Sequence, residues 1–235
     1  MRILLTNDDG VHAPGIDALR EAAREFGEVT VAAPDAVVSG CGHQVTTDRP
    51  IRVTEIEPRR FSVAGTPADC TRVALRAMDL DFDLVLAGIN HGGNMGSDVY
   101  ISGTVAAARE AVLLGVPAIG FSHYLKRDLE LDWNTARSWT VDVLRSILED
   151  SRLHADGRPM LWNVNFPHLP PGSAKPAHVD APLDSRPLGV EFTTELGPSE
   201  TLYTYSADYH ARPRDRGTDV DVCMSGHIAI TALDY

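Results

Sequence analysis

The stretch Asp83-Leu84-Val85-Leu86-Ala87-Gly88 is the clearest buried-strand pattern in the chain. A short, continuous apolar run bounded by a turn residue is typical of a strand covered on both faces, as in a parallel sheet. Helical patterns lie on either side of it, over residues 67–78 and 104–114. A buried strand between two helices of that length predicts a βαβ unit.

The same alternation of strand and helix patterns continues in both directions, as far as about residue 168. Short apolar runs predict strands, and amphipathic runs predict helices that begin at an N-cap such as Thr66. The other predicted strands are 3–6, 28–33, 51–55, 61–63, 118–121 and 160–166, and the other predicted helices are 17–26 and 136–148. This alternation predicts a three-layer α/β/α fold with a mostly parallel sheet.

The composition and periodicity of the sequence change beyond residue 168. Proline and glycine become frequent and helical periodicity disappears, which is typical of irregular or β-rich structure. A hairpin over 190–205 and a last strand over 228–233 remain recognisable. We therefore expect residues 1–168 to form the α/β core with the functional site. Residues 169–235 should form a C-terminal arm and final strand that belong to the same domain and serve oligomerisation.

The overall composition excludes several classes of protein. The chain has 235 residues, which suits one large domain, and a net charge of -12. That charge repels a polyanion, so no nucleic-acid polymer is expected as a partner. Three cysteines form no disulfide framework, and no apolar run approaches the ~20 residues that span a bilayer. These observations predict a cytoplasmic location without membrane contact.

The first candidate site is the acidic pair Asp8–Asp9, directly after the first predicted strand. Two adjacent carboxylates repel each other, and a divalent cation such as Mg²⁺ or Mn²⁺ relieves that repulsion. An ordinary turn is the alternative interpretation, because Asp and Gly are common turn residues. The pair alone leaves both interpretations open.

Three further segments place polar residues at the same predicted edge of the sheet. Ser39 lies in a glycine-rich loop after the second strand, and Asn90 follows the strand predicted over 83–88. Ser102 precedes an alanine-rich helix as a candidate N-cap, and the start of a helix binds anions through free backbone N–H groups. His43 is a candidate proton donor or a structural residue, and His91 is interpreted as a loop residue. Because ligands of such sheets collect beyond the carboxyl ends of the strands, the segments together favour a metal and phosphate site.

Ordered motifs along nearly the whole chain resemble one known family. They are residues 2–10 (RILLTNDDG), 13–15 (APG), 33–35 with 39–40, 65–70 (GTPADC), 88–90 with 93–94, 100–110 (YISGTVAAARE), 163–167 (NVNFP) and 217–219 (GTD). Together they resemble the SurE family of survival proteins, which are 5′/3′-nucleotidases.

The resemblance implies a metal-dependent phosphomonoesterase, a 5′-nucleotidase that hydrolyses nucleoside 5′- and 3′-monophosphates and, in some members, short polyphosphate. It implies one divalent cation per subunit, Mg²⁺ or Mn²⁺ with Co²⁺ as an alternative, and a homodimer or homotetramer. The implied metal ligands are Asp8, Asp9, Ser39 and Asn90, and the implied phosphate contacts are Asn7, Asn94, Ser102, Gly103 and Thr104. Asp8 and Asp9 are also the candidate catalytic residues.

The catalytic role of the acidic pair has two interpretations. Asp8 or Asp9 orients an attacking water, or Asp8 attacks directly and forms an aspartyl-phosphate. A haloacid-dehalogenase-type phosphatase is disfavoured, because its second aspartate would fall at residue 10, which is glycine. A phosphorelay receiver is disfavoured, because it needs an aspartate where this chain has Asn90.

Two departures from the family bear on assembly and specificity. The chain stops at Tyr235, just after the predicted final strand, where many relatives continue into a C-terminal helix. This departure leaves dimer and tetramer both open. Residues 178–216 match the family only loosely, and the arm is where base preference could be set.

Overall fold

The computed structural model describes residues 1–149 and 151–234. Tyr235, the last residue of the predicted C-terminal arm, lies outside this described part. The strands are β1 Arg2–Thr6, β2 Glu28–Pro34, β3 Val53–Glu57, β4 Arg60–Val63, β5 Leu84–His91, β6 Ala118–His123, β7 His154–Ala155, β8 Arg158–Pro159, β9 Leu161–Phe166, β10 His178–Asp180, β11 Phe192–Leu196, β12 Thr201–Tyr205 and β13 Ile228–Leu233. The α-helices are α1 Pro14–Ala23, α2 Pro67–Arg76, α3 Gly103–Leu113, α4 Trp133–Glu149 and α5 Asp219–Met224. Short 3₁₀ turns cover Gly96–Tyr100 and Tyr209–Ala211.

Nine strands form one twisted layer in the order β10-β13-β9-β6-β5-β1-β2-β4-β3. The pairs from β9 through β4 are all parallel, whereas β13 runs antiparallel to β9 and β3 antiparallel to β4. The apolar run that begins at Leu84 lies in β5, whose first six residues are buried. The predicted mostly parallel sheet is therefore confirmed.

Helices cover both faces of this sheet. On one face, Ile16 and Leu19 of α1 and Val143 and Ile147 of α4 join a core cluster with β-strand residues such as Leu5. On the other face, α2 and α3 pack their small side chains against the sheet, mainly alanines and Cys70. The alanines let these two helices approach the strands closely, as a three-layer α/β/α fold requires.

The ends of several helices follow from local sequence. Thr66 caps α2, because its hydroxyl accepts a 3.1 Å hydrogen bond from Asp69 N while Asp69 Oδ2 accepts one of 3.0 Å from Thr66 N. Helix α1 begins at Pro14, three residues before the predicted start, since proline suits the first position of a helix. The six-residue helix α5 was not predicted, because so short an element lacks a periodic pattern.

The C-terminal region contributes to the main sheet and also forms a separate hairpin. Strands β10 and β13 extend the nine-stranded sheet, as expected for a final strand over 228–233. Strands β11 and β12 pair only with each other, and every residue in them is exposed. No helix in the described ranges is long and apolar enough to cross a membrane.

Candidate functional site

A cavity of about 260 Å³ lies beyond the carboxyl ends of β1 and β5. The four segments that the sequence singled out all contribute to its wall, and they come together there from separate parts of the chain. Its lining residues are Asp8, Asp9, Ser39, Gly40, Asn90, His91, Gly93, Asn94, Asp98, Ile101 and Ser102. All four predicted metal ligands therefore face one space, together with the predicted phosphate contacts Asn94 and Ser102.

Asp8 is almost completely buried and is held from the neighbouring helix. Its residue surface is 5% exposed, and the Thr104 hydroxyl donates a 2.5 Å hydrogen bond to Asp8 Oδ1. Burial raises the pKa of the Asp8 carboxyl to about 6, and the charge of Asp9 also raises it, whereas the hydrogen bonds from Thr104 lower it. A nearby cation would favour the ionised form that burial opposes.

Asp9 and Asn90 each keep one oxygen available to the cavity. The His91 backbone N–H donates a 3.0 Å hydrogen bond to Asp9 Oδ2. The Asn90 amide nitrogen donates a 2.8 Å hydrogen bond to the Gly92 carbonyl, which fixes the orientation of the amide. Asp9 Oδ1 and Asn90 Oδ1 then have no hydrogen-bond partner within the described ranges, and both atoms belong to residues of the cavity wall.

The available donors fit a hard divalent cation. Asp8, Asp9, Ser39 and Asn90 offer only oxygen atoms, which Mg²⁺ and Mn²⁺ prefer over nitrogen or sulfur ligands. In the described part of the chain, no cluster of three or more His, Cys, Asp or Glu residues could hold a metal. The site would therefore rest on two carboxylates and two neutral oxygens. Mg²⁺ suits such a sparse set, because it usually keeps several waters.

Helix α3 begins at the wall of the cavity and approaches Asp8 very closely. Ser102 caps it, because the Ser102 hydroxyl accepts a 3.1 Å hydrogen bond from Val105 N. A Cβ on Gly103 would lie only 3.0 Å from Asp8 Cβ and 3.2 Å from Cys41 Sγ. Glycine therefore allows the helix start and the carboxylate to approach closely, and the helix start favours an anion beside them.

Two of the predicted phosphate contacts have other partners in the structure. Thr104 is completely buried, and its hydroxyl is engaged with Asp8. Asn7 is also completely buried, and its amide nitrogen donates a 2.9 Å hydrogen bond to the Gly10 carbonyl. Neither residue lines the cavity. Their side chains support the turn that carries Asp8 through hydrogen bonds to Gly10 and Asp8. The sequence motif could not distinguish that role from direct contact with a ligand.

The loop that carries Asn94 is held by two asparagines of β9 for which the sequence predicted no role. Asn163 and Asn165 donate hydrogen bonds of 2.8 and 3.0 Å to the Asn94 carbonyl, and Asn165 Oδ1 accepts one of 2.9 Å from Asn94 N. The Asn94 amide nitrogen donates to Ser122 Oγ at 2.8 Å. Two polar residues in an otherwise apolar strand could have indicated this role, because buried polar side chains need hydrogen-bond partners.

His43 lies outside the cavity wall and has a structural contact. Its Nε2 lies 2.8 Å from Glu110 Oε2, and Arg72 donates a 2.7 Å hydrogen bond to Glu110 Oε1. Glu110 is 2% exposed and belongs to α3. This contact ties the loop of Ser39 to the helix that faces it, which favours the structural interpretation of His43.

A larger cavity, of about 500 Å³, lies between α4 and the segment after β9. Two of its acidic residues have partners: Asp142 pairs with Lys175 at 2.6 Å, and Asp132 accepts from the first turn of α4 at 2.9 and 2.7 Å. It has no pair of adjacent carboxylates. The pair of adjacent carboxylates therefore distinguishes the smaller cavity from this one.

An oxygen-rich cavity at the carboxyl edge of a parallel sheet, facing the start of a helix, is typical of α/β proteins that bind a small ligand at that edge. The family model described as survival protein SurE matches residues 3–186. The chain belongs to the SurE family.

Individual relatives agree over nearly the whole length. A protein of Nostoc sp. that bears a 5′-nucleotidase name is 45% identical, with 99% of each chain covered. The 5′-nucleotidase SurE of Geobacter sulfurreducens is 40% identical over 99% of this chain and 87% of its own. The crystal structure of the SurE protein from Aquifex aeolicus superimposes with a TM-score of 0.85 at 33% identity, covering 99% of this chain and 93% of that chain.

Proposed function

We propose that the chain is a metal-dependent phosphomonoesterase that hydrolyses nucleoside 5′-monophosphates, and also 3′-monophosphates, to nucleoside and phosphate. Family membership and the names of the relatives support a nucleotidase. The observation that carries the proposal is the convergence of Asp8, Asp9 and the start of α3 on one cavity. This arrangement supports the proposal, because the proposed cation ligands and a helix start that favours anions would act on the same phosphoryl group.

The residues divide into two functional groups. Asp8, Asp9, Ser39 and Asn90 would hold one divalent cation, Mg²⁺, Mn²⁺ or Co²⁺, which supplies charge neutralisation to the phosphoryl group. Ser102 and the Gly103 N–H at the start of α3 would donate hydrogen bonds to phosphate oxygens, with Asn94 beside them. Asn7 and Thr104 would act through the acidic turn, because their side chains hold the turn and Asp8.

Two mechanisms are compatible with the acidic pair, and they differ in whether a water molecule or a carboxylate attacks phosphorus. In the first mechanism Asp8 or Asp9 orients a water and takes its proton, and in the second Asp8 attacks phosphorus and is later released by water. The stereochemical course at phosphorus separates the two, measured with a substrate whose phosphoryl group is made chiral by oxygen isotopes and sulfur. Inversion supports a single attack by water, and net retention supports two displacements through an aspartyl-phosphate.

The test of the proposed activity is phosphate release from 5′-AMP, 5′-GMP, 3′-AMP and p-nitrophenyl phosphate with Mn²⁺, with and without EDTA. We expect release that EDTA abolishes and that Asp8→Asn or Asp9→Asn reduces by at least about 100-fold. Asp35→Asn is the matched control, because Asp35 is exposed in the neighbouring loop and does not line the cavity. Failure to release phosphate from any of these esters would reject the proposal.

Assembly, location and secondary substrates complete the proposal. A homodimer or homotetramer is supported by the exposed apolar side chains of the hairpin β11–β12, among them Phe192, Leu196 and Tyr203. Cytoplasmic location is proposed from the composition of the sequence, and turnover of short polyphosphate from the family resemblance. Sedimentation of the full chain and phosphate release from tripolyphosphate test the first and the last of these.

A further inference from the structure

One carboxylate in the cavity wall has a partner set unlike that of the acidic pair. Asp98 lies in the 3₁₀ turn Gly96–Tyr100, and its side chain is 12% exposed. Arg212 donates a 2.6 Å hydrogen bond to Asp98 Oδ2, and the Tyr209 hydroxyl donates one of 2.8 Å to the same oxygen. Both donors come from the C-terminal arm, more than 100 residues away along the chain.

The arm fixes the Asp98 side chain in one orientation. Arg212 also donates a 3.3 Å hydrogen bond to the Met95 carbonyl, and its guanidinium lies 5.0 Å from the Tyr209 ring centroid. Burial and the charge of Asp98 raise the pKa of Tyr209, so its hydroxyl remains a donor. A carboxylate that accepts both of these donors on one oxygen presents the other oxygen in a fixed direction.

The second oxygen of Asp98, Oδ1, is not engaged by the two donors of the arm. Asp98 belongs to the cavity wall, and Asp98 Oδ1 has no hydrogen-bond partner across residues 1–149 and 151–234. A phosphate would be repelled by this carboxylate, and a second cation would be repelled by the guanidinium beside it. The remaining ligand chemistry is a neutral hydrogen-bond donor, such as a hydroxyl group.

We infer that Asp98 contacts the substrate and that its Oδ1 accepts a hydrogen bond from a sugar hydroxyl of the nucleotide. This inference rests on the proposed nucleotidase function. In a nucleoside monophosphate the sugar is joined directly to the phosphate, so it lies within the same small cavity when the phosphate is at α3. Arg212 and Tyr209 are positioning residues that aim this acceptor.

The experiment combines a change in the enzyme with a change in the substrate, and kcat/KM is measured with Mn²⁺ present. Wild type and Asp98→Asn are compared on AMP, on 2′,3′-dideoxy-AMP and on p-nitrophenyl phosphate. In Asp98→Asn the amide oxygen would face Arg212 and Tyr209, so that an N–H group replaces the free acceptor. We expect kcat/KM for AMP to fall about tenfold or more, as for loss of a hydrogen bond to a charged group. The two substrates that lack the hydroxyls should change less than about twofold.

Two further measurements guard against a variant that merely misfolds. First, the kcat/KM of the wild-type enzyme should be about tenfold lower for dideoxy-AMP than for AMP, a comparison that needs no substitution in the protein. Arg212→Met should reproduce the selective loss and Arg212→Lys should restore part of it. Arg186→Met should leave all three substrates unchanged, because Arg186 pairs with Asp215 at 2.6 Å in the same arm outside the cavity.

The outcomes separate this inference from the proposed function. An equal loss on all three substrates would show that Asp98 only supports the loop, and no loss on AMP would show that it is not in contact. Either result overturns the inference while phosphate release by wild type upholds the nucleotidase. If wild type releases no phosphate from any substrate, the proposed function itself fails.

Discussion

The Thr104 hydroxyl donates a 2.5 Å hydrogen bond to Asp8 Oδ1 across 96 residues of chain. The bond joins the start of α3 to the end of β1, and both groups are buried. A buried carboxylate held in this way cannot turn away from the cavity when no ligand is present. The orientation of this proposed metal ligand is therefore set by a contact within the fold.

Removal of the Thr104 hydroxyl should weaken metal binding. Thr104→Val keeps the shape of the side chain but leaves Asp8 Oδ1 without this donor. Loss of a partner that orients a metal ligand typically weakens metal affinity by about 10- to 100-fold. We expect the Mn²⁺ concentration for half-maximal activity to rise by that factor. Thr104→Ser is the control and should behave within about threefold of wild type, since the donor is kept.

A methyl group on Gly103 should lower activity without unfolding the protein. In Gly103→Ala the new Cβ would lie 3.0 Å from Asp8 Cβ, so the carboxylate or the helix start must shift. Alanine favours helices over glycine by about 1 kcal/mol, so the melting temperature should change little. Gly189→Ala is the control, because a Cβ on Gly189 would meet no atom within 4 Å. Full activity of Gly103→Ala would contradict the need for close approach.

The pH dependence of stability should report the burial of Asp8. In the metal-free protein the pKa of Asp8 is raised from 3.8 to about 6, chiefly by burial. Between these values the folded state holds a proton that the unfolded state has lost, so the free energy of unfolding falls as pH rises. Above about pH 6 the buried carboxylate is ionised, and its burial lowers the free energy of unfolding by an amount on the order of 2–3 kcal/mol.

Asp8→Asn tests this expectation by urea unfolding in EDTA. The variant should be about 2 kcal/mol more stable than wild type at pH 7.5 and of similar stability at pH 4. Asp35→Asn, which removes an exposed carboxylate, should change neither value. Equal stability of wild type and Asp8→Asn at pH 7.5 would mean that burial does not perturb the carboxyl.

Loss of the Thr66 cap should destabilise the protein through helix α2. Thr66→Ala removes the hydroxyl that accepts from Asp69 N, and such a loss typically costs about 1 kcal/mol. Thr66→Ser keeps the acceptor and should cost much less. Urea unfolding at pH 7 measures both, and KM for the nucleotide should remain unchanged, because Thr66 does not line the cavity.

Features encoded by neighbouring residues were predictable from the sequence. The caps Thr66 and Ser102, the buried strand β5 and the parallel sheet all follow from local patterns, and the structure confirms them. The convergence of Asp8 and Asn90 on one edge followed from the general geometry of parallel sheets. The family resemblance supplied the roles that such patterns cannot assign.

Features that depend on distant contacts were not predictable. Asp98 and Arg212 meet across 114 residues, and no local pattern marks either of them. The side chains of Asn7 and Thr104 turn to Gly10 and Asp8, which only three-dimensional packing decides. A single sequence gives the residue type at each position, whereas the direction of a side chain depends on the elements packed around it.

Strand β9 has an evolutionary consequence that follows from its two buried asparagines. Valine at positions 163 and 165 would suit a strand that is buried along its length, and would relieve the buried Asn163 Oδ1 that has no partner among the described residues. The same change would release the Asn94 carbonyl and nitrogen from the strand. Selection for stability therefore acts in both directions at these positions, because valine would remove one unpartnered oxygen but leave the buried Asn94 backbone groups without these partners.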